Sequence, residues 1–320
     1  MNYSTSTPLL RRIKWVFNPQ DHADLGFTHA QVPTPLIMED RIRVFVSGRV
    51  GKISHVFTID ITPPPECRVI SISKTPIFSP NHNIGTFDDE GVMPSCFVTR
   101  DDGEIQFLYS GWNSRNTIPY HNSTGIAKYL PVENKMERLF DGPILERTYL
   151  HPYLAVTPTV WKNKGGFNAL YISGLEWIKG EDRYEPLYVI KKATSKNLLD
   201  WDRPIEQFIP SRHNLECFSN PSVRHDTHEV FDVLFCSRNA FDFRSNPLNS
   251  YKIGYASIDG NAVIRGDIQW TGSPASVLEN VMQCYPSFIE WGGKTYVIYN
   301  GNAFGATGFG LAEFIKSGEQ

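Results

Sequence analysis

The pair Pro-Ser or Pro-Thr recurs five times along the chain, at Pro33-Thr34, Pro94-Ser95, Pro158-Thr159, Pro221-Ser222 and Pro286-Ser287, with spacings of 61, 64, 63 and 65 residues. After each pair comes an apolar run, a polar turn and a second apolar run that ends in small residues. The second runs are Val44 to Gly48, Phe107 to Gly111, Leu170 to Gly174, Val233 to Ser237 and Val297 to Gly301. A Gly-Ile-Ala-like segment follows at Gly125-Ile126-Ala127, Gly254-Tyr255-Ala256 and Gly310-Leu311-Ala312. A unit of this length holds three or four strands and cannot bury both faces of its sheet alone, so the units must stack. Five four-stranded blades around an axis meet that need and leave few open edges. The repeat therefore predicts an all-β, five-bladed β-propeller with about four antiparallel strands per blade, one domain over 1–320, and blades starting near 27, 87, 151, 213 and 279.

Composition narrows the function classes. The 13% aromatic content and the 24 Gly and 22 Pro suit strands joined by tight turns. A net charge of −3 with mixed signs gives no basis for a nucleic-acid or anionic-membrane partner. Met1 to Pro8 lacks the apolar stretch of a signal peptide, and no run has the length of a membrane span. Cys67, Cys96, Cys217, Cys236 and Cys284 are odd in number and lack metal-type spacing, which reads as reduced thiols in a cytoplasmic protein.

In chain order, residues 1–9 read as a tail. Ile13 to Phe17 reads as a strand that completes the last blade and ties the ring shut, or else caps the barrel end. Asp101-Asp102-Gly103 is a hairpin turn. Three segments read as long polar loops with functional content: Trp112 to Ser123, Leu175 to Tyr184 and Arg238 to Ser250.

This layout resembles the five-bladed propellers of glycoside hydrolase families 43, 32, 68 and 130. The resemblance rests on the five Pro-Ser/Thr strand starts, the Tyr-x-Ser-Gly second strands, and Ala193-Thr194-Ser195-Lys196-Asn197-Leu198-Leu199-Asp200-Trp201, which is similar to a phrase common in those enzymes. It covers nearly the whole chain and implies a carbohydrate-active fold. Family-43-like enzymes carry acids at three positions where this chain has Val32, Ser95 and Val156, so their triad is not matched. Glu216-Cys217 resembles the Glu-Cys pair of family 32, one blade late and without the following proline.

Residues just ahead of the repeated prolines are candidates to line the central funnel. Asp89 and Glu216 each lie five before a proline, in blades nearly opposite across a five-bladed ring. They form the candidate acid and base, with Asp88 and Glu90 as rivals. Acidic clusters in loops are also common as solvated turns, and Glu216 also suits a structural role at a strand start. His29, His121, His151 and His213 show no ligand spacing and read as hydrogen-bonding groups, so no metal or cofactor is called for. Arg49, Trp112, Trp177, Arg238 and Asn302 follow the ends of the second strands, and Tyr153 and Gln283 lie at blade openings; these are the substrate-binding candidates. Aromatic rings stack on sugar faces and Arg forks grip anions. If Arg49, Arg238 and Arg244 converge, the ligand is an acidic sugar, a sugar phosphate or a nucleotide sugar. The expected activity is that of a glycosidase-like enzyme on a small, anionic glycoside. The alternatives are a family-130-like phosphorylase or transferase, and an inert propeller that binds carbohydrate or a protein partner.

Overall fold

A computed structural model describes residues 7–316 apart from 23 and 181. The expected N-terminal tail lies outside these residues as far as residue 6. The chain is already a strand at β1 (Leu9–Phe17), which is longer than the predicted Ile13 to Phe17. Four antiparallel strands then follow one another in each of the first four units, and the last unit adds a short strand, Gln269–Thr271, that pairs in parallel with β1. The first unit is β2 (Thr28–Ile37), β3 (Ile42–Val50), β4 (Ile53–Ile61) and β5 (Val69–Ile72). The second is β6 (Gly91–Thr99), β7 (Ile105–Ser114), β8 (Tyr120–Leu130) and β9 (Lys135–Arg138). The third is β10 (Ala155–Asn163), β11 (Gly166–Lys179), β12 (Tyr184–Ser195) and β13 (Trp201–Asp202). The fourth is β14 (Glu216–His225), β15 (Val230–Asn239), β16 (Lys252–Asp259) and β17 (Ala262–Gly266). The last unit takes β18 (Gln269–Thr271), β19 (Cys284–Trp291), β20 (Lys294–Asn300) and β21 (Phe309–Ile315).

These strands form four sheets that resemble propeller blades. The eight-stranded one is the first and second units, joined through the single residue pair Ser54 and Gly91. The last sheet has the order β18-β1-β21-β20-β19, so β1 is a sheet member and not a cap. The opening strands touch in sequence: β2 meets β6, β6 meets β10, β10 meets β14, β14 meets β19, and β19 meets β2. Among the described residues no helix is long and apolar enough to cross a membrane.

The second strand of each unit is buried on both faces, which is why it reads as a continuous apolar run. Phe45 packs with Phe107 and Tyr109 of the next unit. Leu108 then packs with Ala169 and Tyr171, and Leu170 with Val233 and Phe235. Leu234 packs with Val297 and Tyr299, and Ile298 returns to Val44 and Val46. Two of the three expected polar loops are mostly strand. Asn113 pairs with His121 and Ser114 with Tyr120, and β11 and β12 pair out to Lys179 and Tyr184. Polar side chains on a hairpin that rises beyond the sheet do not prevent ladder pairing. Residues 240–251 do form a loop.

The repeated proline marks a kink. Val32, Thr157, Asn220 and Tyr285 each precede it with φ of 53°, 46°, 46° and 52°, and the register of their strands shifts there. This left-handed conformation is disfavoured for β-branched and aromatic residues and again for any residue before proline, at about 1–3 kcal/mol each. A neighbouring unit supplies the compensation. The Thr157 N–H donates to Ser110 Oγ at 3.1 Å, the Tyr285 N–H to Cys236 Sγ at 3.0 Å and the Val32 N–H to Asn300 Oδ1 at 2.8 Å. The acceptors are the small polar residues that end the second strands. In the third unit the register places Ile172 opposite Val156, two residues before the proline, as Cys236 is opposite Ser219 and Asn300 opposite Cys284. Matching Ser173 with Ser110 on sequence alone is therefore a slip of one residue.

Asn300 ties the two ends of the repeat. Its side-chain amide also donates to Ala30 O and Gly308 O, both at 2.8 Å, and it is fully buried. Asn300→Ala removes three buried hydrogen bonds, Gly308 O alone keeping a further one from the Gly301 N–H, and is expected to cost on the order of 3 kcal/mol in urea unfolding. A loss below about 0.5 kcal/mol, the range of a surface substitution, would contradict this closure.

Candidate functional site

The kinks aim the residues beside the prolines inward. Gln31 and Val32, Met93, Val156 and Thr157, Ser219, and Tyr285 come from the five opening strands and line one cavity of about 450 Å³. Above them the turns after the second strands contribute Arg49, Lys52, Trp112, Tyr120, Arg244, Tyr251 and Phe304. Among the described residues its charged groups are Arg49, Lys52 and Arg244; no carboxylate and no histidine lines it.

Arg49 makes one weak hydrogen bond, to Gln31 Oε1 at 3.5 Å, and no ion pair among the described residues. Burial lowers its pKa, and the nearby Arg244 adds to that. Arg244 is paired with Glu185, through Nε to Oε1 at 2.9 Å, and lies over Phe243 and Phe304. Burial raises the phenols of Tyr120, Tyr251 and Tyr285, which stay neutral donors. Three polar atoms of the wall are buried with no partner: Asn122 Oδ1, Thr157 Oγ1 and Ser219 Oγ. A buried group left unpaired costs free energy that a ligand hydroxyl would recover.

Arg238 does not line the cavity. It lies buried beneath it, 3.8 Å from the Phe243 ring, donating to Tyr251 Oη and to the carbonyls of Asn239 and Pro186. It has no carboxylate partner among the described residues, and burial works against neighbouring phenols that favour its charge. Trp112 faces the cavity with its indole N–H on Ser54 Oγ at 2.8 Å, and Trp177 packs edge-on against Tyr120.

The four acids are occupied elsewhere. Asp88 is fully buried and accepts from Tyr109 Oη at 3.0 Å and Arg138 Nε at 2.8 Å. Glu216 accepts from Arg265 at 3.0 and 3.1 Å, from Ser237 Oγ at 2.6 Å and from the Arg212 N–H. Burial raises its pKa, but these bonds outweigh it and the net shift is downward. Asp89 accepts the Gly85 N–H at 2.7 Å, while its Oδ1 is buried without a partner. Glu90 accepts the Ser114 N–H. A third bracket of the Asp88 kind joins Glu279 to Tyr299 Oη and Arg12 Nε, both at 3.0 Å. These brackets clamp the strand that follows the third one of a unit (β9, β17 or β1) to the start of its opening strand or the segment before it.

The other candidates are also outside the cavity. His29 bonds Thr28 Oγ1, and burial with the nearby Arg49 lowers its pKa to about 4. His121 contacts Glu146, and His151 contacts Lys191 and Arg203 O. Tyr153 packs on Gly174, where a Cβ would come within 2.7 Å of it. Gln283 bonds Glu279 O. Asn302 accepts the N–H groups of Val281 and Met282, holding a loop beside the rim. No group of three or more potential metal ligands occurs among the described residues. The missed wall residues Gln31, Thr157, Ser219 and Tyr285 had a signal: they lie one or two before the prolines, whereas the sequence candidates lie four and five before.

No family model matches the chain. It is similar to uncharacterized proteins from two strains of Mycobacterium tuberculosis, 28% identical over 310 residues, covering 94% of this chain and 98% of theirs. Among solved structures it is similar to a BT0996 complex with RGII, with 15% identity, TM-score 0.69, and 98% of this chain and 92% of that one covered. It is also similar to a structure from glycoside hydrolase family 130, mannoside phosphorylases that include hydrolases of β-1,2 mannosidic linkages in Candida mannan, with 13% identity, TM-score 0.67 and 98% and 95% coverage. A thermostable family-43 glycoside hydrolase matches with 13% identity, TM-score 0.58 and 90% and 89% coverage. At these identities the likeness is one of fold.

Burial raises the Glu146 carboxyl, but bonds from His121, the Arg147 N–H and Ser123 outweigh it and bring the pKa from 4.5 to about 2. A depressed carboxyl pKa adds stability above its unfolded value, and that stability is lost as pH falls through the folded value. Glu146→Gln is thus expected to be less stable than the parent at pH 7 and to unfold with a shallower dependence on pH between 4.5 and about 2. Equal pH slopes for parent and variant in that window would contradict the assignment.

Proposed function

We propose that the chain is a single five-bladed β-propeller, closed between its first and last units, whose central cavity binds a small anionic saccharide. The observation that carries this is Arg49: a half-buried guanidinium on the cavity wall with no acid beside it among the described residues. An ionised group is held out of water at a cost unless an opposite charge joins it, and here that charge is the ligand's. The flanking Trp112 and tyrosines offer faces to a sugar ring, and the unpaired Asn122, Thr157 and Ser219 atoms offer bonds to its hydroxyls. Closure is supported by the contact of β19 with β2 and by Asn300.

Hydrolysis by Asp89 and Glu216 as an acid–base pair has less support, since neither lines the cavity and both oxygens of Glu216 are bonded. A second reading is favoured by the same cations together with the fold likeness to the mannoside phosphorylase family. In it the anion is inorganic phosphate acting as co-substrate, and the chain is a phosphorylase. Asp89, which like Asp88 keeps one oxygen free of partners but pairs with no arginine, is then the carboxyl available to move a proton.

Calorimetric titration separates these cases. A hexose phosphate is expected to bind at least about tenfold tighter than the free hexose, and Arg49→Ala to lose that difference, a change of about 1.4 kcal/mol or more. Glu216→Gln should leave it intact. Equal affinity for both sugars would rule out the anion site, and saccharide breakdown that requires added phosphate would select the second reading.

A further inference from the structure

Three units carry a clamping bracket around a carboxylate, and the third unit keeps every part of it but one. In the second unit a hydroxyl on β7, Tyr109, and an arginine at the end of β9, Arg138, converge on Asp88. In the last unit Tyr299 and Arg12 converge on Glu279. In the fourth, Ser237 and Arg265 converge on Glu216. Strand register identifies the counterparts in the third unit. Leu170 is opposite Thr159 as Ile298 is opposite Ser287, so Tyr171 is the counterpart of Tyr299. Ser173 is opposite Ala155 as Ser237 is opposite Phe218. Arg203 directly follows Asp202, the partner of Thr194, and so comes level with Ala193 as Arg138 is level with Ala127. The acid alone is missing. Asp88 lies four residues before Val92, the partner of Gly111, and four residues before Ala155 stands His151.

The side chains at this place lack what the three bracketed units supply. Tyr171 Oη and Ser173 Oγ are buried near one another and near Arg203 but make no well-formed hydrogen bond. Lys191 is 4% exposed, its Nζ meets His151 Nδ1 at 3.4 Å, and it forms no ion pair among the described residues. His151 donates Nε2–H to Arg203 O at 3.1 Å, which leaves Nδ1 as an acceptor and the ring neutral. Arg203 donates to Glu146 O and likewise has no ion pair among the described residues. The site thus gathers two cations, neither in an ion pair among the described residues, and two buried hydroxyls, with the exposed Glu206 acting on Lys191 from the surface.

We propose that the third unit holds a small monovalent anion, of the size of a halide or formate, among Lys191, Arg203, Tyr171 and Ser173, where the second, fourth and last units place a carboxylate. Such an ion accepts the two orphan hydroxyls and neutralises the buried charge. Burial and the neighbouring cations Lys191 and Arg203 hold His151 below its ordinary pKa, and burial holds Lys191 below its own although Glu206 acts the other way.

Thermal unfolding of the full chain tests this in sodium chloride, bromide, formate and gluconate at one ionic strength, gluconate being too large to enter. The Tm is expected to be about 2 °C or more higher in chloride, bromide or formate than in gluconate. His151→Asp, which restores the carboxylate, should lose that difference. Tyr171→Phe should reduce it, and serves if the aspartate variant does not fold. A bromide-soaked crystal should show an anomalous peak between Lys191 and Tyr171. The same Tm in all four salts, or an equal salt difference in parent and both variants, would overturn the proposal; so would a crystal with only water at that place.

Discussion

A side chain at the end of one unit's second strand captures the backbone N–H of a strained residue in the next unit. Ser110, Cys236 and Asn300 do this for Thr157, Tyr285 and Val32. The captured residue stands before a proline in a conformation it would not otherwise adopt. Without the neighbouring unit, the kink has nothing to hold it. Strain and inter-unit bonding therefore depend on each other, and the units gain stability only as a set. The double-faced burial of the second strands acts in the same direction, since each apolar run finds one of its faces covered only by the next unit.

The kink also decides what the cavity contains. A straight strand alternates its side chains between neighbours on either side. A bulge with a left-handed residue breaks that alternation and turns one or two side chains toward the axis. In this chain those are neutral: Gln31, Val32, Met93, Thr157, Ser219 and Tyr285. The charge arrives from the turns above, through Arg49, Lys52 and Arg244, and from Arg238 below the aromatic wall. The acids are spent on holding outer strands to opening strands. This division of labour gives a cavity lined with cations, aromatics and unpaired polar atoms.

Much of the fold is legible in the sequence because the proline pairs and the doubly buried runs are local features repeated at a fixed period. The direction of each side chain is not. Positions four and five before the prolines lie ahead of the kink; Glu216, like Asp88, is claimed by an arginine from a strand distant in sequence, while Asp89 caps the Gly85 N–H of its own loop. Arg265 and Arg138 carry no mark in the sequence that ties them to Glu216 and Asp88. The one-residue slip at Ile172 is hidden for a similar reason: Tyr-Ile-Ser-Gly looks like the other strand ends, and only pairing with Val156 sets its register. Arg49 and Arg244 are legible because their spacing from the strand ends is short, and a turn of that length leaves them close to the mouth. The polar hairpins read as loops because their composition is polar, yet backbone pairing does not require apolar side chains.

The most direct measurement is a crystal structure of the chain with a small phosphorylated sugar. The account places the phosphate against the Arg49 and Arg244 guanidiniums, the ring beside Trp112, and ring hydroxyls on Thr157 or Ser219. A ligand bound with its phosphate in solvent and a carboxylate against the sugar, or no ligand in the cavity at saturating concentration, would contradict it.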